Sequence, residues 1–253
     1  MSKRKILMLA LSVCMVAILA VGGTLAYFTD TDEATNVFTV GHVDITLEED
    51  FGDNDPETNE KLFPGKQNAV KKEVKITLGE DSEDSYVWYI YLIPAVLDST
   101  DGSTGTNNIV HVNAFGRTWD TYRENQAYWA EGQTEALPLE QTWDHTKYHP
   151  EGFIGTETIE GVEYNKYLAL YHGILSNKEG GQTETTVAMS QVYLDAGVDY
   201  DVENGYYVDK NGNKIEYDLS DEINIIVRAY AIQADGIADV YEAYNTYNTQ
   251  ANN

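Results

Sequence analysis

One run constrains this chain more than any other: SYVWYIYLIPAVL, Ser85–Leu97. It is apolar at consecutive positions and rich in aromatic and β-branched side chains, so an extended segment there must be covered on both faces. A strand of that kind belongs in the middle of a sheet. Pro94 has no amide hydrogen to give to a ladder, so it is expected to end the strand or to mark an edge.

The flanking segments read as half-buried strands. Val43, Ile45 and Leu47 alternate with Asp44, Thr46 and Glu48, and Val74, Ile76 and Leu78 alternate with Glu73, Lys75 and Thr77. This period of two is the strand signature. Three further candidates follow: YNKYLALYHGILS, TTVAMSQVYL and EINIIVRAYAIQ (Glu222–Gln233), with a turn at Lys178–Gly181 between the first two. Gly205–Asp218 reads as a β-hairpin with Asn211-Gly212 at its turn. Its Asp209-x-Asn211-x-Asn213 spacing also resembles the opening of a calcium loop, but Lys214 follows where that loop needs Gly, and the hairpin is favoured.

Residues 98–160 carry Trp119, Trp129 and Trp143 among Gly, Thr and Asn, with one short helix expected near Thr118–Glu131. They are read as an insertion between strands. Near the end, Ile237, Val240, Tyr241 and Tyr244 fall at helical spacing, which suits a short amphipathic helix or a frayed terminus. The fold expected from the residues is all-β, a β-sandwich or related barrel with a loop-rich insertion and a short C-terminal helix.

The first residues have a different character. Lys3, Arg4 and Lys5 precede an uncharged apolar stretch from Ile6 to Val21, then Gly22, Gly23 and Thr24-Leu25-Ala26. These are the three parts of an export signal, with cutting expected between Ala26 and Tyr27. An uncleaved membrane anchor is the competing reading, disfavoured by the Gly-Gly break. The expected organisation is a signal peptide over 1–26 and one β-sandwich domain over 27–253, with its insertion at about 98–160.

Removing the signal would take Cys14, the only cysteine, and three basic residues, moving the formal net charge from −26 to −29. Without disulfides, such a domain must be held by its core. Disorder is disfavoured by 42% hydrophobic content and 19 tyrosines. So negative a chain repels nucleic acid and anionic membrane, which leaves the uncleaved signal as the expected membrane contact.

The chemistry-bearing motifs are sparse. His-Glu-x-x-His, Gly-x-Ser-x-Gly and phosphate-binding glycine loops do not occur. His145 and His149 are four apart, but Thr146 stands where a zincin needs Glu, and Pro150 biases His149 away from helix. Packing or surface histidines are the favoured reading. Acidic groups at Glu48–Glu60, Gly79–Asp84 and Asp98–Gly102 are read as solvated loops, since none completes a calcium ligand series. No cofactor or metal is implied.

The segment GGTLAYFTDTDEATNVFTVGHVDITL resembles the N-terminus of the TasA/camelysin family of Gram-positive bacteria. The residues that carry the likeness are Gly22, Gly23, Thr24, Phe28, Asp30, Asn36, Phe38, Gly41 and Asp44. LFPGKQNAVKKEVKITL, with Pro64-Gly65, and EINIIVRAYAIQADGI are similar to later parts of the family pattern; most of 98–160 is not. The resemblance implies a jelly-roll-like sandwich, cleavage by a SipW-type signal peptidase, secretion to the cell surface or extracellular matrix, and assembly into biofilm-matrix fibres by donor-strand addition. Partners would be copies of the chain itself and related matrix subunits. The donor segment would comprise Tyr27, Phe28, Thr29, Asp30, Val37 and Phe38. An intramolecular first strand is an equal rival, because registry is weakly specified in the polar stretch Thr29–Thr35. Camelysin, described as a surface metallopeptidase, supplies an enzyme alternative, and a monomeric adhesion module is a third. Leu137–Gln141 lacks the Thr-Gly of a sortase signal.

Overall fold

The aromatic run becomes strand β4 (Ser85–Pro94), bonded on both sides within its sheet. The computed structural model describes residues 29–32, 43–50, 62, 64–65, 69–100, 108–114, 138–145, 152–219 and 223–251. Among these, β4 lies between β12 (Ile226–Gln233) and β8 (Val162–Leu175), both antiparallel to it. β1 (Thr29–Asp32) closes one side of this sheet on β12. On the other side β6 (Trp143–Asp144) and β7 (Phe153–Ile159) share the flank of β8. Pro94 is the last residue of β4, and a 3-10 turn at Ala95–Leu97 follows, as its missing amide hydrogen predicts.

A second, four-stranded sheet runs β2 (Ile45–Asp50), β3 (Val70–Leu78), β9 (Met189–Leu194), β5 (Val110–Ala114). The two sheets pack face to face. Val87, Tyr89, Tyr91 and Ile93 of β4 meet Val74, Ile76, Leu78, Met189 and Val192 in one core. The Tyr89 hydroxyl donates to the Ala188 carbonyl at 3.1 Å, joining the layers through a buried polar contact.

The alternate residues of β4 explain why both its faces are apolar. Tyr86 and Trp88 point the other way, into a cluster with Leu168, Leu170 and Ile232. That cluster is roofed by helix α1 (Val240–Ala251), which buries Val240 and Ala243. Trp88 stacks on Tyr230 at 5.9 Å and meets Tyr244 and Tyr247 edge-on at 5.8 and 5.2 Å. Such ring geometries add about 0.5–1.5 kcal/mol per pair beyond area burial. The helix begins on a capping pair: Glu242 N–H donates to Asp239 Oδ1, and the Glu242 carboxylate accepts from Ala238 N–H, each at 2.8 Å.

The all-β expectation and the short C-terminal helix therefore match the structure. Two details differ. Within 98–160, the described residues supply β5 to one sheet and β6 and β7 to the other, so this stretch contributes to both layers. Those strands are short or mixed in composition, which hides their period. The expected helix near Thr118–Glu131 lies outside the described residues.

The second difference is at the predicted hairpin. Tyr206–Val208 forms β11, but its strand partner is the preceding β10 (Asp199–Asp201). On its other side Val208 bridges Lys214, and backbone hydrogen bonds from Ile215 N–H to the Tyr207 carbonyl and from Asp209 N–H to the Asn213 carbonyl, both 2.8 Å, close the expected turn at Asn211-Gly212. Gly212 there has φ +78°, the left-handed conformation glycine tolerates. A cleaner hairpin joins β7 to β8, where Glu160 (φ +50°) and Gly161 (φ +85°) form a two-residue loop with both φ positive.

Candidate functional site

The polar segment that follows the expected cut forms β1, and it lies against the chain's own β12. Thr29, Asp30, Thr31 and Asp32 stand opposite Ile232, Ala231, Tyr230 and Ala229. In the single chain these four residues pair intramolecularly with β12. Tyr27, Phe28, Val37 and Phe38, with Ala26 of the cut site, lie outside the described residues.

Its host is far more securely held. β12 pairs over eight positions with β4, from Ile226 opposite Leu92 to Gln233 opposite Ser85. Ala229, Ala231 and Ile232 are buried. The small side chains at 229 and 231 face the inter-sheet core. The four-residue ladder to β12 gives β1 about four backbone hydrogen bonds, each contributing about 0.5–1.5 kcal/mol net. Fixing four residues costs roughly 1–2 kcal/mol apiece. Backbone pairing alone therefore leaves β1 near balance. Apolar anchors beside it must decide how firmly it stays.

The metal candidates do not assemble among the described residues, where no three His, Cys, Asp or Glu side chains converge. His145 is 2% exposed, its ring edge-on to Tyr89 at 6.2 Å. Trp143 beside it is also buried, with its indole N–H donating to the Thr186 carbonyl at 3.1 Å. The surroundings of His145 are those of an aromatic core. His149 lies outside the described residues.

The Asp209 loop holds its own carboxylate. Asp209 Oδ1 accepts from the backbone N–H of Asn211 and Asn213 at 2.8 Å, and Oδ2 accepts from the Asn213 amide at 3.1 Å. These hydrogen bonds, led by that of the Asn213 backbone, keep its pKa below the usual carboxylate range. They organise a turn.

The other acidic segments divide. Asp84 accepts from Lys178 Nζ and Ser176 Oγ, both at 2.6 Å, and Lys178 foremost holds its pKa down. Asp98, read from the sequence as part of a solvated loop, is instead 7% exposed. Its carboxylate accepts from Asn165 Nδ2 at 3.0 Å and from the Tyr167 hydroxyl. The signal that would have found it is position: it follows immediately on the apolar run and on Leu97.

His111 was not singled out by sequence either. It is buried on β5, stacked on Tyr193 at 4.9 Å, with Nε2 and Asp195 Oδ2 2.9 Å apart. Burial pushes its pKa down, against the upward pull of Asp195. No helix among the described residues is long and apolar enough to cross a membrane.

The described residues define an all-β protein, antiparallel sheets packed as a sandwich with one short C-terminal helix. Comparison with known families carries it one step further. Residues 1–74 match the family model described as camelysin metallo-endopeptidase, so the TasA/camelysin family read from the opening stretch is supported, over a segment that ends inside β3. No curated protein and no solved structure matches the chain.

Proposed function

We propose that this chain is a secreted, non-catalytic structural subunit of extracellular matrix fibres, and that it assembles by exchanging its N-terminal strand after signal-peptide cleavage. The observation that carries the reading is the weak polar strand β1 lying on the firmly held β12. If β1 leaves, it uncovers a row of β12 backbone groups that the same four residues of another copy can satisfy in the same register. While the signal peptide remains, the segment is tethered at the membrane; cutting after Ala26 by a SipW-type peptidase frees it. Each subunit would then give one strand and receive one. Related matrix subunits with the same opening would be compatible partners. Net charge would hold free subunits apart, so calcium or mild acidity should favour growth.

The test is electron microscopy of purified residues 27–253, expected to show filaments. Removing Tyr27–Val37 should leave a folded monomer that does not elongate; normal elongation would refute the donor role.

The family description supports a second reading, a surface metallopeptidase. The matched segment holds a single histidine, His42, and no zincin spacing, so ligands would have to come from elsewhere in the chain. Chelator-sensitive cleavage of casein, lost in a folded His145→Ala variant, would establish it. Absence of cleavage with and without added zinc would remove it.

A further inference from the structure

The small β10–β11 sheet is bonded to neither layer of the sandwich; Tyr207 packs against the main core while Tyr200 and Val202 leave apolar surface exposed. Tyr200 is 47% exposed and Val202, in the turn beyond it, 83%, where most large apolar side chains of the described residues are buried. Tyr200 and Tyr207 face each other across the two strands, ring centroids 5.0 Å apart and edge to face. With Tyr206, Lys214, Glu216 and Asp218 they line an open cleft of about 510 Å³. That lies within the range of small-molecule sites, roughly 300–1,000 Å³.

From this lining we infer a binding site for a neutral glycan. Tyrosine rings offer negative faces to the polarised C–H groups on the flat side of a pyranose ring. Glu216 and Asp218 offer acceptors for hydroxyl protons, and Lys214 is a donor. The charge pattern discriminates among ligand classes. Lys214 Nζ lies 2.7 Å from Glu216 Oε2 and 5.8 Å from the centre of the Tyr206 ring. The chain's own ammonium thus occupies the place a cationic peptide would seek. An anionic polymer would meet Glu216, Asp218 and a net charge of −26. A ligand rich in hydroxyls, with apolar faces and no charge, fits what remains.

The cleft is also built to keep its shape. Asp201 Oδ1 accepts from Glu203 and Asn204 N–H, each at 3.0 Å, fixing the turn between the strands. Gly205 closes that turn at φ +75°, and a Cβ there would lie 3.9 Å from the Tyr200 hydroxyl. The Asp209 carboxylate organises the next loop. Two anchored turns hold the rings in place before a ligand arrives, which lowers the entropy cost of binding.

The test is calorimetric titration of the full chain with neutral β-1,4-linked hexasaccharides of glucose and of N-acetylglucosamine, alongside hexagalacturonate and hexalysine. A neutral hexasaccharide should bind most tightly of the four. Tyr200→Ala should weaken that binding about tenfold, the loss of one ring contact, while Tyr200→Phe retains it. Circular dichroism checks the fold, and Glu216→Gln is a second variant that leaves every ring in place and should weaken binding too. No neutral binding at millimolar concentration, tighter binding of either charged oligomer, or affinities indifferent to both variants would overturn the site. The result does not depend on whether the chain polymerises.

Discussion

β4 and β1 belong to the same sheet and answer to opposite demands. β4 is ten residues long, bonded on both sides and apolar on both faces. β1 has four residues, two Thr and two Asp, and its one described partner strand is β12. The first must hold the sandwich to the helix. The second needs only backbone complementarity, which any copy of the chain can supply equally well. Between them lies β12, whose rigidity would make an exchangeable neighbour useful: an acceptor edge transmits nothing if it moves with its donor.

If that contrast is right, damage to β4 should be severe. Trp88→Ala removes a fully buried indole from the cluster beneath α1 and should cost about 3–5 kcal/mol, read as a lower urea midpoint. A loss below about 1 kcal/mol would mean the helix-covered face is not a true second core.

Mild acid should separate the interior from the surface at intermediate cost. His111 and His172 both have pKa values lowered chiefly by burial. A base with a depressed folded pKa takes up its proton more readily when unfolded. Its stabilising contribution is present above the unfolded value, near 6.5, and is lost as pH falls through 6.5 towards the folded value. Stability should therefore decline as pH falls below about 6.5, and a His111→Gln, His172→Gln double variant should flatten that slope. An unchanged slope would place the titration elsewhere.

The capping pair at α1 predicts a smaller change. Asp239→Ala removes the acceptor for Glu242 N–H and should cost about 1 kcal/mol, loosening the helix while leaving both sheets intact. Smallest of all should be the thermodynamic effect of deleting Thr29–Asp32. By the balance of hydrogen bonding against chain ordering, the monomer's urea midpoint should barely move. A large drop would show that β1 is structural and not an exchangeable element.

Much of the fold was legible because burial leaves a mark on composition. β4 announced itself through consecutive apolar residues, and β2 and β3 through alternation. The helix was visible in Ile237, Val240, Tyr241 and Tyr244, three of which now pack against the outer face with Val240 and Ala243 fully buried. β5, β6 and β7 were not legible, because edge positions need few apolar side chains: β6 is two residues long and β7 reads FIGTETI. Asp98 and His111 were missed for a related reason. Their partners, Asn165 and Asp195, lie far along the chain, and residue type alone does not separate a polar side chain with such a partner from one that faces water; for Asp98 only its place directly after Leu97 pointed to burial. At the N-terminus the sequence left donor and intramolecular strands open, since TDTD encodes no preferred face.

Asp30 lies directly opposite Ala231, and Cys14, the one cysteine of the sequence, lies outside residues 27–253. An Asp30→Cys, Ala231→Cys chain covering residues 27–253 can therefore lock β1 onto its own β12 by a single disulfide. The oxidised, folded protein should stay monomeric under conditions where the unmodified chain forms filaments, and reduction should restore growth. Filaments assembling with the disulfide intact would contradict strand exchange outright.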